Sequence, residues 1–461
     1  MPDTLIISEL IEKQRSFFKL GGTQTISDRK KILIKLRDEI INREAAICEA
    51  LQKDLGKSEF EAKAAETQFV LAELNTAIKK MGKWCKPTYV LPSLANFPST
   101  DFVCKEPYGQ VLIIAPWNYP FQLVISPLIG AIAAGNTVVI KPSELTPNTS
   151  ALIYSLIDQV FPENYVKVIE GGVKTSQKLL NERWDYIFFT GSVNVGKIIY
   201  KAAAEHLTPV TLELGGKNPC IVDETASIPL AAKRIVWGKF LNGGQTCIAP
   251  DYILVHSSVK QDFIKEVRKA IKHAYGNDSS LSPDYPRIVN QKHFKRLVEL
   301  LKEQTIIFGG DTNEAELFIA PTLINEPALT ADIMQGEIFG PLLPIISYDD
   351  FTEASTIISN FEKPLALYVF STRIKRAKKW MQKFSFGGGT INDTIVHIVN
   401  KRLPFGGVGH SGIGSYHGKK TFDIFSHQKS VVKRGNWLDL PLRYAPYASK
   451  MKFVNYIKHL L

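Results

Sequence analysis

Three side chains in this sequence of 461 residues have the type and the setting to make and break bonds. Cys247 lies in Asn242-Gly-Gly-Gln-Thr-Cys247-Ile-Ala-Pro250. A free cysteine is ordinarily a small core residue, but glycines and a proline pack poorly and let the backbone approach a ligand. A nucleophilic thiol needs such exposed N–H groups rather than an apolar shell. Glu213 lies between Leu212 and Leu214 near the end of the run 210–214, just ahead of Gly215 and Gly216. A carboxylate set between leucines loses water and holds its proton longer, which suits a general base; the bland alternative is a surface Glu paired with a Lys. Asn118, in Ala115-Pro-Trp-Asn118-Tyr-Pro120, follows another apolar run. Its amide, fixed between prolines, can donate to a developing oxyanion or simply satisfy a turn.

A second group of residues suits phosphate and ribose. Phe189-Thr-Gly191-Ser192-Val-Asn-Val-Gly196 joins an apolar run to a helical pattern, and glycines with free N–H groups at a helix start suit pyrophosphate. The spacing is not G-x-G-x-x-G, so alone it is a weak signal. Lys141-Pro-Ser-Glu144 closes the preceding run, where a dinucleotide fold reads ribose hydroxyls. His410 and His417 occupy glycine-rich loops and read as satisfied structural histidines.

The elements that must position these groups alternate along the chain. Runs at 111–115, 138–140, 165–170, 185–189 and 210–214 read as strands, with helix-length segments between them. A second series follows: helix 231–241, strand 251–256, helix 259–275, strand 341–348, helix 353–361, strand 365–370 and helix 374–384. Such alternation predicts an α/β fold with parallel strands covered by helices on both faces. The first 85 residues read as helical. Ser27 is expected to cap a helix carrying Leu33, Leu36 and Ile40 on one face, and Gly56 to stop the next. Residues 86–105, with three prolines, read as an extended excursion. Residues 107–140 carry no charge, but Pro116, Pro120 and Pro127 break the ladder a membrane span would need. That stretch reads as buried strand, loop, helix and strand.

Taken in order, PWNYP, KPSE, FTGSVNVG, LELGGK, GQTC, EIFGP (337–341) and PFGGVGHSGIG (404–414) resemble the aldehyde dehydrogenase superfamily from about residue 5 to 434. PWNYPFQL and YHGKKTFDIFSHQ look like its class-3 branch. The resemblance implies an aldehyde dehydrogenase-like fold: a Rossmann-like cofactor domain (1–85 and 106–212), an α/β catalytic domain (213–412) and a small bridging arm (86–105 and 428–436). It implies Cys247 as nucleophile, Asn118 as oxyanion donor and Glu213 as the base for thioester hydrolysis. Lys141 and Glu144 would hold the adenosine ribose, Gly191, Ser192 and Gly196 the pyrophosphate, and Glu337 the nicotinamide ribose, with Phe339 packed nearby and Phe405 lining the site. A carboxylate at 144 repels a 2′-phosphate, so NAD ranks ahead of NADP. The implied substrates are medium-chain aliphatic or aromatic aldehydes, with Tyr119, Phe121 and Trp237 as compatible neighbours. The implied assembly is a homodimer. Two alternatives stand beside this reading: a CoA-acylating dehydrogenase, which Glu213 disfavours, and a non-catalytic binding protein, which should have lost Cys247, Asn118 or Glu213.

Composition narrows the classes further. Hydrophobic residues make up 45% and charged residues 22%, which is ordinary for a folded protein and excludes disorder. Five dispersed cysteines without C-x-x-C exclude a disulfide framework and point to a reducing cytoplasm; the histidines show no metal-ligand spacing, so no metal is expected. The net charge of +11 is unevenly placed. From Lys429 onward there are seven basic residues and one acid, so no domain-wide nucleic-acid footprint is expected. The tail 437–461 ends in KMKFVNYIKHLL, an amphipathic pattern with Phe453, Val454, Ile457, Leu460 and Leu461 on one face. It is expected to dock on the body, with weak peripheral contact to an anionic membrane as the second expectation.

Overall fold

The computed structural model describes residues 4–93 and 96–457. Apolar runs without alternation form strands buried on both faces, as parallel sheets require. In the first sheet the strands run in the order Gly412–Ile413, Val210–Glu213, Tyr186–Thr190, Gln110–Ile114, Thr137–Lys141 and Val166–Val168. All are parallel except Gly412–Ile413, which pairs antiparallel with Val210–Glu213 at one edge. Strand order reverses between Gln110–Ile114 and Tyr186–Thr190. The crevice at the carboxyl ends of those strands is where such a fold binds ligands, and both Asn118 and Gly191 lie just past those ends.

The second sheet runs Ile306–Phe308, Thr322–Asn325, Leu342–Tyr348, Tyr252–His256, Pro219–Val222, Ala366–Phe370 and Gly388–Ile391. It too is parallel apart from the edge strand Ile306–Phe308. Within 86–105, Thr88–Val90 and the run from Ser99 onward are extended as expected. Thr88–Val90, Ser99–Pro107 and Ser426–Arg434 form a three-stranded antiparallel arm, with the last two paired along nine residues.

Local expectations fare unevenly. Gly56 ends its helix in the left-handed conformation, φ 68°. Ser27 is not the cap: the helix Ile26–Asn42 starts one residue earlier, behind Thr25. Pro127 does not break its helix. Gln122–Ala134 continues through it with all thirteen residues buried, so packing on every side offsets the lost backbone bond. The tail does form a helix, Met451–Ile457, but Phe453 and Val454 are each 47% exposed rather than docked. Leu460 and Leu461 lie outside the described residues. Among the described residues no helix is long and apolar enough to cross a membrane.

The buried helix Gln122–Ala134 meets Lys419–Ile424 at Gly130, where an added Cβ would lie 2.3 Å from the Thr421 methyl. Gly130→Ala should cost about 1–3 kcal/mol by overpacking despite its better helix propensity. Thr421→Ser, which deletes that methyl, should recover part of the loss in the double variant. Thermal unfolding of the four proteins checks this; a stable single variant would show that the interface yields.

Candidate active site

After the helix Ile228–Phe240 the chain turns through Asn242, Gly243 and Gly244, with φ of 52°, 61° and 73°. Three successive left-handed residues favour glycine, and a Cβ on Gly244 would lie 2.3 Å from the Gly340 carbonyl oxygen. The turn is then fixed by amides. Asn242 Nδ2 donates to the carbonyls of Asn118 (2.8 Å) and Gln245 (3.2 Å). Asn218 Nδ2 donates to those of Cys247 (2.8 Å) and Ala249 (3.1 Å), and the Tyr368 hydroxyl donates to that of Ile248 (2.6 Å). Cys247 emerges half-buried from this scaffold.

Glu213 is the last residue of its strand, 2% exposed, and neither carboxylate oxygen has a hydrogen-bond partner in the protein. Burial alone lifts its pKa well above the carboxylate range. The Cys247 thiol is likewise pushed up, by burial first and then by the Glu337 and Glu213 carboxylates, against the pull of the Cys247 and Ile248 N–H groups. The thiol therefore shares a partly desolvated space with both acids, which disfavours its thiolate form. Glu337 is raised to about 8 by burial and by Asp251, opposed by the Gly216 N–H, Arg296 and Lys217.

Asn118 is buried, and its Nδ2 donates to the Gln245 carbonyl at 3.0 Å, two residues before Cys247. A fully buried ion pair holds the Asn118 loop. Lys57 Nζ lies 2.5 Å from Glu66 Oε1, donates to the Asn118 carbonyl at 2.9 Å and sits 4.1 Å from the Tyr119 ring centre. The other Glu66 oxygen accepts from the N–H groups of Phe121 (2.9 Å) and Gln122 (3.0 Å). A second buried pair, Lys217 with Asp251 at 2.6 Å, holds the Glu337 loop: Lys217 donates to the carbonyls of Ile333 and Gly336, and Asp251 accepts from the Ile338 N–H.

A cleft of about 460 Å³ beside Glu337 is lined by Val193, Gly215, Gly216 and Lys217. It fits a dinucleotide in two respects. A Cβ on Gly215 would meet Glu337 Oε2 at 2.0 Å, and Glu337 Oε1 is buried without a partner. Ser192 caps the helix Val193–Glu205, accepting from the Val195 N–H, beside Gly191. Gly196 faces Leu214, where a Cβ would come within 2.7 Å, so its place is helix–strand packing. Lys141 and Glu144 bind each other at 2.7 Å. Phe339, at φ 50°, packs edge-on against Trp117.

Phe405 and Tyr119 are buried near these groups. Phe121 is fully buried in the core, while Trp237 is 45% exposed. His410 is exposed and lies 3.3 Å from Glu362. His417 departs from its expectation: it is 1% exposed, yet neither ring nitrogen has a hydrogen-bond partner in the protein. Among the described residues there is no cluster able to hold a metal. Sequence reading missed Lys57, Glu66, Asn218 and Asp251, whose partners are distant in sequence or backbone atoms. Their one signal is a charged or amide residue inside an apolar or motif-bearing stretch.

This thiol, with two buried carboxylates near it and a cleft beside Glu337 that suits a dinucleotide, makes a candidate site for cofactor-dependent chemistry. A model of the aldehyde dehydrogenase family matches residues 7–431. The 4,4'-diaponeurosporen-aldehyde dehydrogenase of Staphylococcus aureus (strain NCTC 8325 / PS 47) is 51% identical, over 97% of this chain and 98% of that protein. The dimeric NADP-preferring aldehyde dehydrogenase of Canis lupus familiaris is 45% identical over 96% and 99%. A solved structure described as the substrate-bound state of Staphylococcus aureus AldH superposes with a TM-score of 0.96 at 50% identity, covering 98% of this chain and 99% of that one. The chain belongs to the aldehyde dehydrogenase family, in its class-3-like branch. It is an enzyme that oxidises aldehydes with NAD or NADP.

Removing Lys57 leaves Glu66 charged and buried, so Lys57→Met should cost about 3–5 kcal/mol of stability. It should also lower turnover by loosening Asn118; denaturant unfolding and kcat check both. Unchanged kcat in a stable variant would unlink the pair from the site. Glu61, buried beside Lys57, has its pKa raised to about 7 by burial, with Lys57 and the Asn242 N–H opposing. The folded chain keeps this proton where the unfolded chain has lost it. The contribution is full below the ordinary 4.5 and is lost as pH rises through about 7. Across that window Tm should fall less steeply in Glu61→Gln than in the parent; equal slopes would assign the proton elsewhere.

Proposed function

We propose that this chain oxidises medium-chain aliphatic or aromatic aldehydes to carboxylic acids through a cysteine thioester. The observation that carries the reading is the Cys247 thiol held among the Glu213 and Glu337 carboxylates at the end of a left-handed turn. Both acids are lifted from the carboxylate range, so each is basic enough to accept the thiol proton. The sulfur adds to the aldehyde carbon, the carbonyl π electrons move to oxygen, and a tetrahedral thiohemiacetal oxyanion results. The second N–H of the Asn118 amide and the Cys247 backbone N–H are the donors for that oxyanion. A bound nicotinamide dinucleotide supplies the two-electron acceptor for the oxidation. The acyl group left on sulfur is a thioester. Glu213, with no hydrogen bond to break, takes a proton from the water that attacks it, and the Cys247 sulfur departs with the acid as product.

In this reading residues 1–85 and 106–212 hold the cofactor and 213–412 carry the chemistry. Lys141 and Glu144 read the adenosine ribose, Gly191 and Ser192 the pyrophosphate, Gly196 lets that helix approach, and Glu337 takes the nicotinamide ribose beside Phe339. Because Lys141 already neutralises Glu144, the carboxylate repels a 2′-phosphate less than its bare charge would. That weakens the ranking of NAD over NADP and agrees with a relative named as NADP-preferring. A relative named for 4,4'-diaponeurosporen-aldehyde supports an apolar substrate. The outer edge of Ser426–Arg434 in the arm suits pairing with a second copy, and one relative is described as dimeric.

Cys247→Ala should abolish aldehyde-dependent reduction of either cofactor; activity near that of the parent would end this mechanism. Glu213→Gln should retain a pre-steady-state burst of reduced cofactor while turnover falls, and acid yield in the parent should not require CoA. Asn118→Ala should raise the barrier by about 2.7–4 kcal/mol, read as kcat.

A further inference from the structure

Three hydrogen bonds tie the Asn118 loop to the Cys247 loop. Two run between an amide side chain and a backbone carbonyl: Asn118 Nδ2 to Gln245 at 3.0 Å, and Asn242 Nδ2 to Asn118 at 2.8 Å. The third joins the side chains of the residue after Asn118 and the residue before Cys247. The Tyr119 hydroxyl and Thr246 Oγ1 lie 2.7 Å apart. Both residues are buried, and neither oxygen has another hydrogen-bond partner among the described residues.

A buried hydroxyl costs free energy unless it is paired, and phenylalanine and valine would fill the same two places without that demand. The Tyr119 ring is itself held by Lys57, whose Nζ lies 4.1 Å from its centre and is locked by Glu66. Burial keeps the phenol protonated; the Glu61 charge adds to that effect and the Thr246 bond opposes it. The pair is therefore an uncharged, directional contact, and a short O–H···O bond tolerates little sliding of one partner past the other. One covalent step along the chain from each partner stand the Asn118 amide and the Cys247 N–H.

We propose that the Tyr119–Thr246 hydroxyl pair positions the oxyanion donors, setting the Asn118 amide against the Cys247 N–H so that both reach one oxygen. This role rests on the reading of Asn118 as oxyanion donor and Cys247 as nucleophile. Two donors stabilise an oxyanion only when they converge where its charge develops, and a misplacement of about 1 Å costs about 100-fold in rate. Tyr119 and Thr246 act here through their neighbours and need not touch the reacting atoms.

Steady-state oxidation of benzaldehyde, with thermal unfolding of the same proteins, tests this in Tyr119→Phe, Thr246→Val, Thr246→Ser and Tyr119→Phe/Thr246→Val. Thr246→Val alone strands the tyrosine hydroxyl, so Tm should fall; the double variant, apolar on both sides, should recover most of that Tm. Its kcat should nevertheless stay about tenfold below that of the parent, as in Tyr119→Phe, with KM for the aldehyde changed by less than about twofold. Thr246→Ser, which keeps the hydroxyl, should recover most of the kcat that Thr246→Val loses. On an Asn118→Ala background Tyr119→Phe should lower kcat no further, because the donor it positions is gone. Recovery of kcat together with Tm in the double variant would overturn the proposal by making the pair a packing contact. So would an undiminished loss on the Asn118→Ala background. Cys247→Ala separates this role from the mechanism beneath it. If that protein is inactive while Tyr119→Phe turns over like the parent, the positioning role alone falls; if Cys247→Ala stays active, both fall.

Discussion

The Lys57–Glu66 pair fixes where the first half of the active site can be. Moving two charges wholly out of water is costly, and their mutual attraction offsets that cost only when the remaining hydrogen-bonding capacity is used. Here it is used on the loop that carries Asn118: a backbone carbonyl on one side, two N–H groups at the start of the buried helix on the other. Any shift of that loop would leave a buried charge or a backbone group unpaired. Lys217 and Asp251 repeat the device for the Glu337 loop. Two buried ion pairs thus lock two loops of the candidate site, while the Asn218 and Asn242 amides lock the loop that carries Cys247.

That rigidity permits the opposite treatment of the two buried acids near Cys247. Glu213 has no hydrogen bond, and Glu337 keeps one oxygen unpartnered. Each carboxylate would be easier to hold in water, and each is costly to ionise where it stands. Removing solvent raises both acids and the thiol together. A low-lying acid would be too weak a base to take a proton from a thiol so perturbed; a raised one is matched to the task. The structural carboxylates are saturated with donors, whereas Glu213 has none and Glu337 leaves one oxygen unpartnered.

Sequence revealed most where one residue type answers to one physical demand. Apolar runs such as 110–114 and 186–190 are legible because a strand buried on both faces tolerates little else. Gly243 and Gly244 are legible because their backbone conformation excludes side chains. Glu213 is legible because a carboxylate among leucines is out of place. The failures lie where the demand is set by distant parts of the chain. Glu66 looks like any helical glutamate until the 118–122 loop is folded onto it, and Asn218 looks like a turn residue until the Cys247 carbonyl arrives. Ser27 is the cap that residue type suggests, yet the helix begins behind Thr25, whose side chain makes no capping bond. Pro127 survives in a helix because every neighbouring residue is buried, a property no local pattern carries. The satisfied state expected for His417 was an average over histidines, and the packing of Phe69, Phe405 and Tyr416 overrides it.

The net charge takes on a different meaning once its bearers are located. The basic tail carries much of it, and its helix lies exposed rather than folded against the body. Another portion crowds the cavity between residues 76–84 and 399–420. An aldehyde is neutral, whereas a nicotinamide dinucleotide and a carboxylic acid product are both anions. A positive body therefore draws in the cofactor and retards the product, and salt weakens both effects together. With five bases on its lining, that cavity gathers part of the positive charge in one place. Charge that contributes nothing to the chemistry proposed at Cys247 in this way biases which ions approach the protein.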